Sequence, residues 1–517
     1  MVRYGVTEKS KIYDVAVVGF GPSGAVAAGL LGGLGLSTYV CDRAREVYDK
    51  PRAVALDHEI MRVFQQLGVV EKILPYVEPF TDSCYYGVDG QLIRRMSTVA
   101  PPYPLGYLPS LVFTQPPVEA ILREHAQSLP TVDIDLGTTL TGITQDEQGV
   151  TLQLQCDDGA TRSVRARYVI GCDGASSTVR ELAGIRLEDL GFDEPWLVVD
   201  VKVHPQGLAK LPKESVQYCE PARPSTFIIG PGNHRRWEIS INPGEDPKEL
   251  ATPAGTWGLL SRWITPDDAV LWRQASYRFH ALVAEQWRAG RVFVAGDAAH
   301  QQPPFLGQGM CQGVRDVANL AWKLHAVLRQ GVGDALLDTY GAERKGHVTA
   351  LTTRIKHVGQ LIGERDVARA RERDARLLAE CGGLVKPTPR QEVQPALAHG
   401  LIDTQSHAAN GTLFPQPWVL REGAARRMDE AVGGGWRLVL RDHSPLDFKL
   451  PELPITVQVL YLGSPGLTET EGVLAQWFAR HGCAAALVRP DHYVYGVAAD
   501  AAQLDLMLRG LAPQLGC

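Results

Sequence analysis

The chain is 517 residues long, 45% apolar and 21% charged, with 52 basic against 58 acidic side chains and a formal charge of −6. That composition excludes disorder, a collagen-like repeat or a coiled coil as a description of the whole, and the slightly acidic balance argues against a nucleic-acid partner. At roughly 100–200 residues per domain, the length allows about three domains.

In chain order, the N-terminus MVRYGVTEKSKIYD has no apolar signal core, so a cytoplasmic location is the expectation. Val15 to Leu36 is an uncharged apolar run, but its seven glycines and Pro22 make poor material for a membrane-spanning helix. It resolves instead into a buried strand (Asp14 to Gly19), a glycine turn and a small-residue helix (Ser23 to about Leu34). Ser37 to Cys41 then reads as a second strand, which completes a βαβ unit. Strand-like pieces follow at Val150 to Gln155, Ala166 to Gly171, Trp196 to Val203, Phe227 to Gly230 and Trp237 to Ile241, a pattern of mixed α/β with an inserted antiparallel sheet. Arg291 to Ala295 is another buried strand, and Gly309 to Leu328 has helical periodicity. GERDVARARERDARLL, from Gly363, reads as a charged helix with a solvated face. Lys386 to Gly400, with three prolines and few apolar residues, reads as a linker. The remainder restarts as strand, strand, helix (Glu469 to His481), strand, strand.

Three stretches carry chemistry. Gly19-Phe20-Gly21-Pro22-Ser23-Gly24 is a GxGxxG between a buried strand and a helix. There the first glycine makes a tight turn, Gly21 admits a pyrophosphate close to the backbone, and Gly24 lets helix pack on strand. Asp42 ends the second strand, where a carboxylate can accept from ribose hydroxyls. The second stretch is Cys172-Asp173-Gly174-Ala175-Ser176-Ser177-Thr178-Val179-Arg180. The third is Ala295-Gly296-Asp297-Ala298-Ala299-His300 with the QQPPFLGQGM loop that opens a helix. The nine cysteines form no CxxC and no cluster with histidine at zinc spacing, so neither a metal site nor a disulfide framework is expected.

Together these stretches resemble the single-component (class A) FAD-dependent aromatic hydroxylases, over roughly residues 12 to 360. KPRAVALDHE, VQYCEPARP and LLDTYGAERKGH are most similar to 3-(3-hydroxyphenyl)propionate hydroxylase and its phenol-hydroxylase-like relatives. The resemblance implies an α/β fold in which a Rossmann-like FAD-binding domain carries an inserted mixed or antiparallel substrate sheet, as in p-hydroxybenzoate hydroxylase, followed by a thioredoxin-like domain. The boundaries it suggests are 1–180 with 285–385 for FAD, 181–284 for the substrate sheet, 386–400 for the linker, and 401–517 for a thioredoxin-like tail without CxxC.

Carried over residue by residue, Gly19, Gly21 and Gly24 would hold the FAD pyrophosphate, Asp42 the ribose, and Arg43 the adenine. Arg52 and Gln115 would contact the FAD chain, and Asp297 the ribitol. Gly309 and Met310 would offer N–H groups to the flavin pyrimidine. Asp173 and Arg180 would serve both FAD and a transient NADH or NADPH. Pro303 and Pro304 would line the oxygen side of the flavin. Tyr218, Arg223 and Arg236 are candidates for touching substrate, with Tyr85 and Tyr107 behind them. The implied reaction reduces FAD with NAD(P)H, adds O2 at flavin C4a as a hydroperoxide and hydroxylates a phenolic ring, with a polycyclic polyketide-like aromatic as the alternative substrate. No catalytic base, metal, membrane or nucleic-acid contact is assigned, and a homodimer supported by the tail is compatible with the resemblance.

Overall fold

A computed structural model of the chain describes residues 11–441, 448–464 and 467–516. At its centre, Ile12–Val18 lies between Thr38–Asp42 and Thr161–Gly171, parallel to both. Val132–Leu136 and Val292–Val294 extend this sheet in parallel on either side. Val15, Ala16 and Val17 are fully buried, as a strand covered on both faces requires. The first half of Thr161–Gly171 leaves the parallel sheet and pairs antiparallel with Val150–Cys156, which in turn pairs with Thr138–Gln145.

Helix Pro22–Gly33 covers one face of the sheet and is buried from Gly24 to Gly32. Its small residues permit close approach to a second helix, Gly309–Arg329. A Cβ on Gly313 would run into Ser23 Oγ, and one on Gly296 would stand 2.8 Å from the same atom.

The second sheet has nine strands, in the order His300–Gln301, Ala269–Ala284, Leu187–Val203, His234–Ser240, Ser225–Ile229, Ser215–Tyr218, Ser83–Tyr86, Leu92–Ser97 and Pro387–Pro389. One face is apolar: Leu197, Val199, Phe227, Trp237 and Ile239 form a buried cluster with Leu260 and Ile264. Because side chains alternate along a strand, the intervening residues face the other way, toward the first sheet.

Three segments enter this sheet from outside 181–284, one of them the edge strand His300–Gln301. Ser83–Ser97 pairs its first strand parallel to Ser215–Tyr218, and Pro387–Pro389 adds the last edge strand. The expected linker is therefore built into the fold at this point. Prolines suit an edge strand because their missing N–H costs no ladder bond on the open side. The charged helix, Val367–Glu380, is likewise not solvated all round: Ala370, Arg373 and Asp374 are buried. Asp374 accepts from Val88 N at 2.8 Å, and Arg373 donates to Cys219 O at 3.0 Å, which pins the helix to the sheet.

Near the C-terminus, Val457–Tyr461, Trp436–Leu440, Ala485–Val488 and Val494–Ala498 form a four-stranded sheet in that order. The first pair is parallel and the other two are antiparallel. The helix expected from Glu469 begins at Val473, because the Glu469 carboxylate instead caps it, accepting from Leu474 N and Ala475 N at 2.8 Å each. Buried polar bonds fasten this unit to the rest: Arg62 to Asp429 at 2.6 Å, Arg489 to Glu343 at 2.7 Å and Tyr493 to Glu59 at 2.9 Å. Among the described residues, no helix is long and apolar enough to cross a membrane.

Candidate active site

A cleft opens where the parallel strands end, the usual ligand position in a doubly wound sheet. Gly19 turns the chain there with φ +97°, and a Cβ on it would overlap the Cys172 carbonyl and lie 2.7 Å from Asp173 N. Its N–H donates to Cys41 O at 2.7 Å, which ties the turn to the neighbouring strand. Gly21 faces open space and precedes helix Pro22–Gly33, whose first N–H groups have no side-chain cap. Those groups are free for an anion. Asp42 accepts from Phe20 N at 2.6 Å and Ala44 N at 2.7 Å, so its carboxylate is fixed at the end of the cleft. Arg43 and Arg52 are exposed beside it, and the Arg52 guanidinium lies 5.1 Å from the Tyr48 ring centroid.

This trench, about 680 Å³, runs from Asp42 and Arg43 to Asp173 and Gly174. It shares Gly21, Pro22, Arg52, Cys172 and Gly174 with an inner chamber of about 310 Å³. On one side the chamber is walled by Asp297, Pro304, Gly309 and Met310, and on the other by the nine-stranded sheet through Tyr85, Gln217, Thr226, Ile228, Arg236 and Glu238. Helix Gly309–Arg329 begins at this wall without a side-chain cap. The turn bearing Asp297 is held from behind by Asp316, which accepts from Gly296 N, His300 Nε2 and Arg344 Nε at 2.9 Å each. Burial works against ionisation of Asp316, yet His300 and Arg344 hold its carboxyl below the usual range.

The matching family model, described as FAD binding domain, covers residues 12–355. The chain belongs to the FAD binding domain family. A further model, the HcaD C-terminal domain, matches residues 462–513. Over 519 residues the chain is 39% identical to a probable NADH-specific resorcinol 4-hydroxylase of Rhodococcus jostii (strain RHA1), with 98% of this chain and 95% of that protein covered. It is 33% identical to a 3-(3-hydroxy-phenyl)propionate/3-hydroxycinnamic acid hydroxylase of Burkholderia cenocepacia (strain HI2424), with 93% of each covered. The structure of aklavinone-11 hydroxylase with FAD and aklavinone superposes with a TM-score of 0.79 at 25% identity, covering 98% of this chain and all of that one (100%). This family member is therefore an FAD-dependent hydroxylase. The cleft suits FAD: an open glycine cradle, two uncapped helix starts and unpaired arginines lie along one continuous groove.

Within the FAD-binding fold, the expected residues divide into those on the cleft surface and those behind it. Gly19, Gly21, Asp42, Arg43, Arg52, Gln115, Asp173, Asp297, Pro304, Gly309 and Met310 all line the trench or chamber. Gly24 lies behind, where a Cβ would overlap the Gly19 carbonyl oxygen. Gln115 spends its side chain on the protein, its Oε1 accepting from Arg52 N and Ala53 N at 2.9 and 2.6 Å. Asp173 caps the turn after it, accepting from Ser177 Oγ at 2.5 Å and Val179 N at 3.0 Å. Arg180 is buried and donates to Ala298 O at 3.1 Å and Ala175 O at 3.0 Å. It thus joins the second and third sequence stretches and lines neither the trench nor the chamber. Pro303 is buried next to Pro304.

Tyr218 and Arg223, expected to touch substrate, do not reach the chamber. In Ser215–Tyr218 the residue facing the chamber is Gln217, so alternation turns Tyr218 to the apolar side, where its hydroxyl accepts from Trp263 Nε1 at 3.1 Å. Arg223 is committed to Glu245, at 2.9 and 2.5 Å. Tyr107 also lies elsewhere, donating to Gln65 Oε1 at 2.8 Å. Arg236 does reach the chamber but is held bidentately by Asp200 at 2.7 and 3.1 Å. We expect Tyr218→Phe and Arg223→Ala to leave kcat/KM within about twofold of wild type, each costing about 1 kcal/mol of stability. Steady-state kinetics and thermal melts check this.

Four polar chamber residues were missed from the sequence. Glu238 has the same strand parity as Arg236 and opposite parity to Trp237, so strict alternation in RRWEIS was a usable signal. Gln217 and Thr226 share the same face and bond to each other at 2.5 Å. Arg390 had no such signal, since it lies in the expected linker. Its Nη2 donates to Thr81 O at 3.0 Å and Ser83 Oγ at 2.5 Å, and its guanidinium stacks 3.7 Å from the Phe80 ring centroid. Burial pulls it down to about 10, so it stays protonated at neutral pH.

Proposed function

We propose that the chain uses NADH and O2 to hydroxylate a single-ring phenol of the resorcinol type. The observation that carries this is the charge inventory of the chamber. Of the arginines expected to touch substrate, Arg223 is paired with Glu245 and Arg236 with Asp200, so neither is free for a substrate carboxylate. Among the described residues, two chamber arginines have no carboxylate partner, Arg52 on the cofactor side, which is read as serving the FAD chain, and Arg390 at the sheet. One such cation at the sheet suits one phenolic oxygen and leaves none for a propionate side chain. A chamber of about 310 Å³ that must also admit the flavin ring favours one aromatic ring over a polycycle.

Gly19, Gly21 and Gly24 would shape the pyrophosphate cradle, with Asp42 at the ribose, Arg43 at the adenine and Arg52 along the FAD chain. Asp297 would meet the ribitol. When bound, FAD would carry electrons from the nicotinamide to O2 and activate O2 so that one of its oxygen atoms passes to the ring and the other leaves as water. The protein's share is positioning and electrostatics. The N–H groups of Gly309 and Met310, at a helix start, favour negative charge beside them. Pro304, Phe305 and Leu306 line the chamber with apolar surface that excludes water. The FAD-binding unit is read as 1–180 with 285–385, less the strands within Ser83–Ser97 and at His300–Gln301 that join the substrate sheet, and the tail as thioredoxin-like. Support for the tail comes from its strand order, in which the second strand flanks the first in parallel and the third and fourth follow antiparallel.

The test measures NADH-dependent O2 uptake with resorcinol, 3-(3-hydroxyphenyl)propionate and a polycyclic phenol, with mass spectrometry for a gain of one oxygen. We expect kcat/KM for resorcinol to exceed that for the propionate at least tenfold. A preference for the propionate would return the assignment to a carboxylate-bearing substrate. Oxidation of NADH that yields only H2O2 with all three would exclude the resorcinol reading.

A further inference from the structure

We propose that Glu238 is the proton acceptor that ionises the phenolic substrate. The assignment rests on the hydroxylase reading above and names the group that performs its proton transfer.

Glu238 is on the chamber face of His234–Ser240 and is 2% exposed. Its Oε2 has no hydrogen-bond partner among the described residues. An unbonded buried carboxylate is costly unless a ligand completes it, and its place in the chamber wall indicates where that ligand sits. The other polar groups there are occupied or unsuited. Tyr85 donates to the Met96 sulfur at 3.3 Å, Thr226 donates to Gln217 Oε1 and neither of the two carries a charge, and Asp297 stands on the opposite, cofactor side. His300, a natural general base by type, is held by Asp316.

The charges facing Glu238 come from several elements. Arg236 is on its own strand, Asp200 on the adjacent one, and Arg273 on Ala269–Ala284 beyond it. Arg390 and Tyr85 line the same chamber, and Arg52 and Asp297 stand on the cofactor side. Burial raises the Glu238 carboxyl, and Arg236 offsets this only in part, so it titrates at about 7. A proton acceptor near the working pH is the efficient choice for a phenol with a pKa of about 10. In the step, the phenolic O–H bond breaks and the proton moves to a Glu238 carboxylate oxygen. The negative charge moves to the phenolic oxygen, and the net charge of the chamber does not change.

The test compares wild type, Glu238→Gln and Glu238→Asp as FAD-loaded enzymes. In wild type, hydroxylated product per NADH should rise with pH through about 7. Glu238→Gln should lose that limb and at least about tenfold in product per NADH, with H2O2 formed instead. Glu238→Asp should restore the limb. A readout independent of turnover is the ultraviolet difference spectrum on binding resorcinol at pH 7.5, recorded with a pH indicator. Wild type should show a phenolate band without releasing a proton, and Glu238→Gln a neutral phenol. An equal phenolate band and an unchanged pH limb in Glu238→Gln would overturn the assignment while leaving the hydroxylase reading intact. A wild-type enzyme that shows the band but hydroxylates no phenol would overturn the hydroxylase reading and leave the proton assignment standing.

Discussion

Gly24→Ala is expected to abolish tight FAD retention, raising the dissociation constant at least about 100-fold, or about 2.7 kcal/mol. A Cβ at this position would overlap the Gly19 carbonyl oxygen and stand 2.9 Å from its carbon. Both are backbone atoms, so no rotamer change relieves the clash. The oxygen cannot retreat easily, because Gly19 is held by its N–H bond to Cys41 O at 2.7 Å and sits against the Cys172 carbonyl. Helix Pro22–Gly33 must therefore shift away from the strand end, which moves the free N–H groups of its first turn out of register with the pyrophosphate. Overpacking alone should cost about 1–3 kcal/mol in stability. Gly33→Ala is the control: it lies in the same helix with nothing within 4 Å of its Cβ position and should be neutral or slightly stabilising. Flavin fluorescence titration and the 450 nm to 280 nm absorbance ratio after gel filtration measure the outcome.

Glu343→Ala should cost about 3–5 kcal/mol, the range for removing one partner of a buried ionic group. Glu343 and both of its charged partners, Lys323 and Arg489, have fully buried side chains, each partner 2.7 Å away. Glu343 also accepts from Asn319 Nδ2 at 2.6 Å and Leu401 N at 2.8 Å. Its loss would leave Lys323, which burial already lowers to about 8, with Asn319 Oδ1 at 2.9 Å as its remaining partner. Arg489 would keep only Asp491 as an ionic partner, at 2.6 Å.

The acid dependence follows from the same group. Burial opposes ionisation of Glu343, but Arg489 and Lys323 prevail and hold it at about 2, below its ordinary 4.5. A lowered carboxylate contributes stability that is present above its unfolded value and disappears as pH falls from about 4.5 through about 2. The stability gap between wild type and Glu343→Gln should therefore be widest near neutrality and shrink steadily below pH 4.5. Urea unfolding at pH 7 and pH 4 reads it. A gap independent of pH would show that packing, not charge, holds the two units together.

The cofactor half of the site was legible because its signals are local. A glycine at φ +97° after a buried strand, a second glycine facing open space and a third against a carbonyl are demands of the backbone within six residues. Backbone geometry of that kind is written directly in residue type. Four of the parallel strands were equally visible as mostly apolar runs, since burial on both faces removes polar alternation; Val132–Leu136, which carries Asp133 and Asp135, was not read. The substrate half was less legible. Tyr218 and Gln217 are neighbours in sequence, and only the register of the sheet decides which of them meets the chamber. A shift of one residue would exchange them.

Arg390 and the buried ion pairs were not visible at all. Arg390 belongs to a proline-rich stretch that looks unstructured until Pro387–Pro389 finds the free edge of the sheet. Arg62 meets Asp429 across 367 positions, and Arg489 meets Glu343 across 146. In a chain that exposes them, each of these is an ordinary surface charge. By itself, then, the sequence determined the turns that cradle a dinucleotide, because local backbone rules act over a few residues, and its resemblance to the aromatic hydroxylases supplied the cofactor and the reaction class. The tertiary structure alone decided which side chains face the substrate and which charges are neutralised, because strand parity and long-range contact set both.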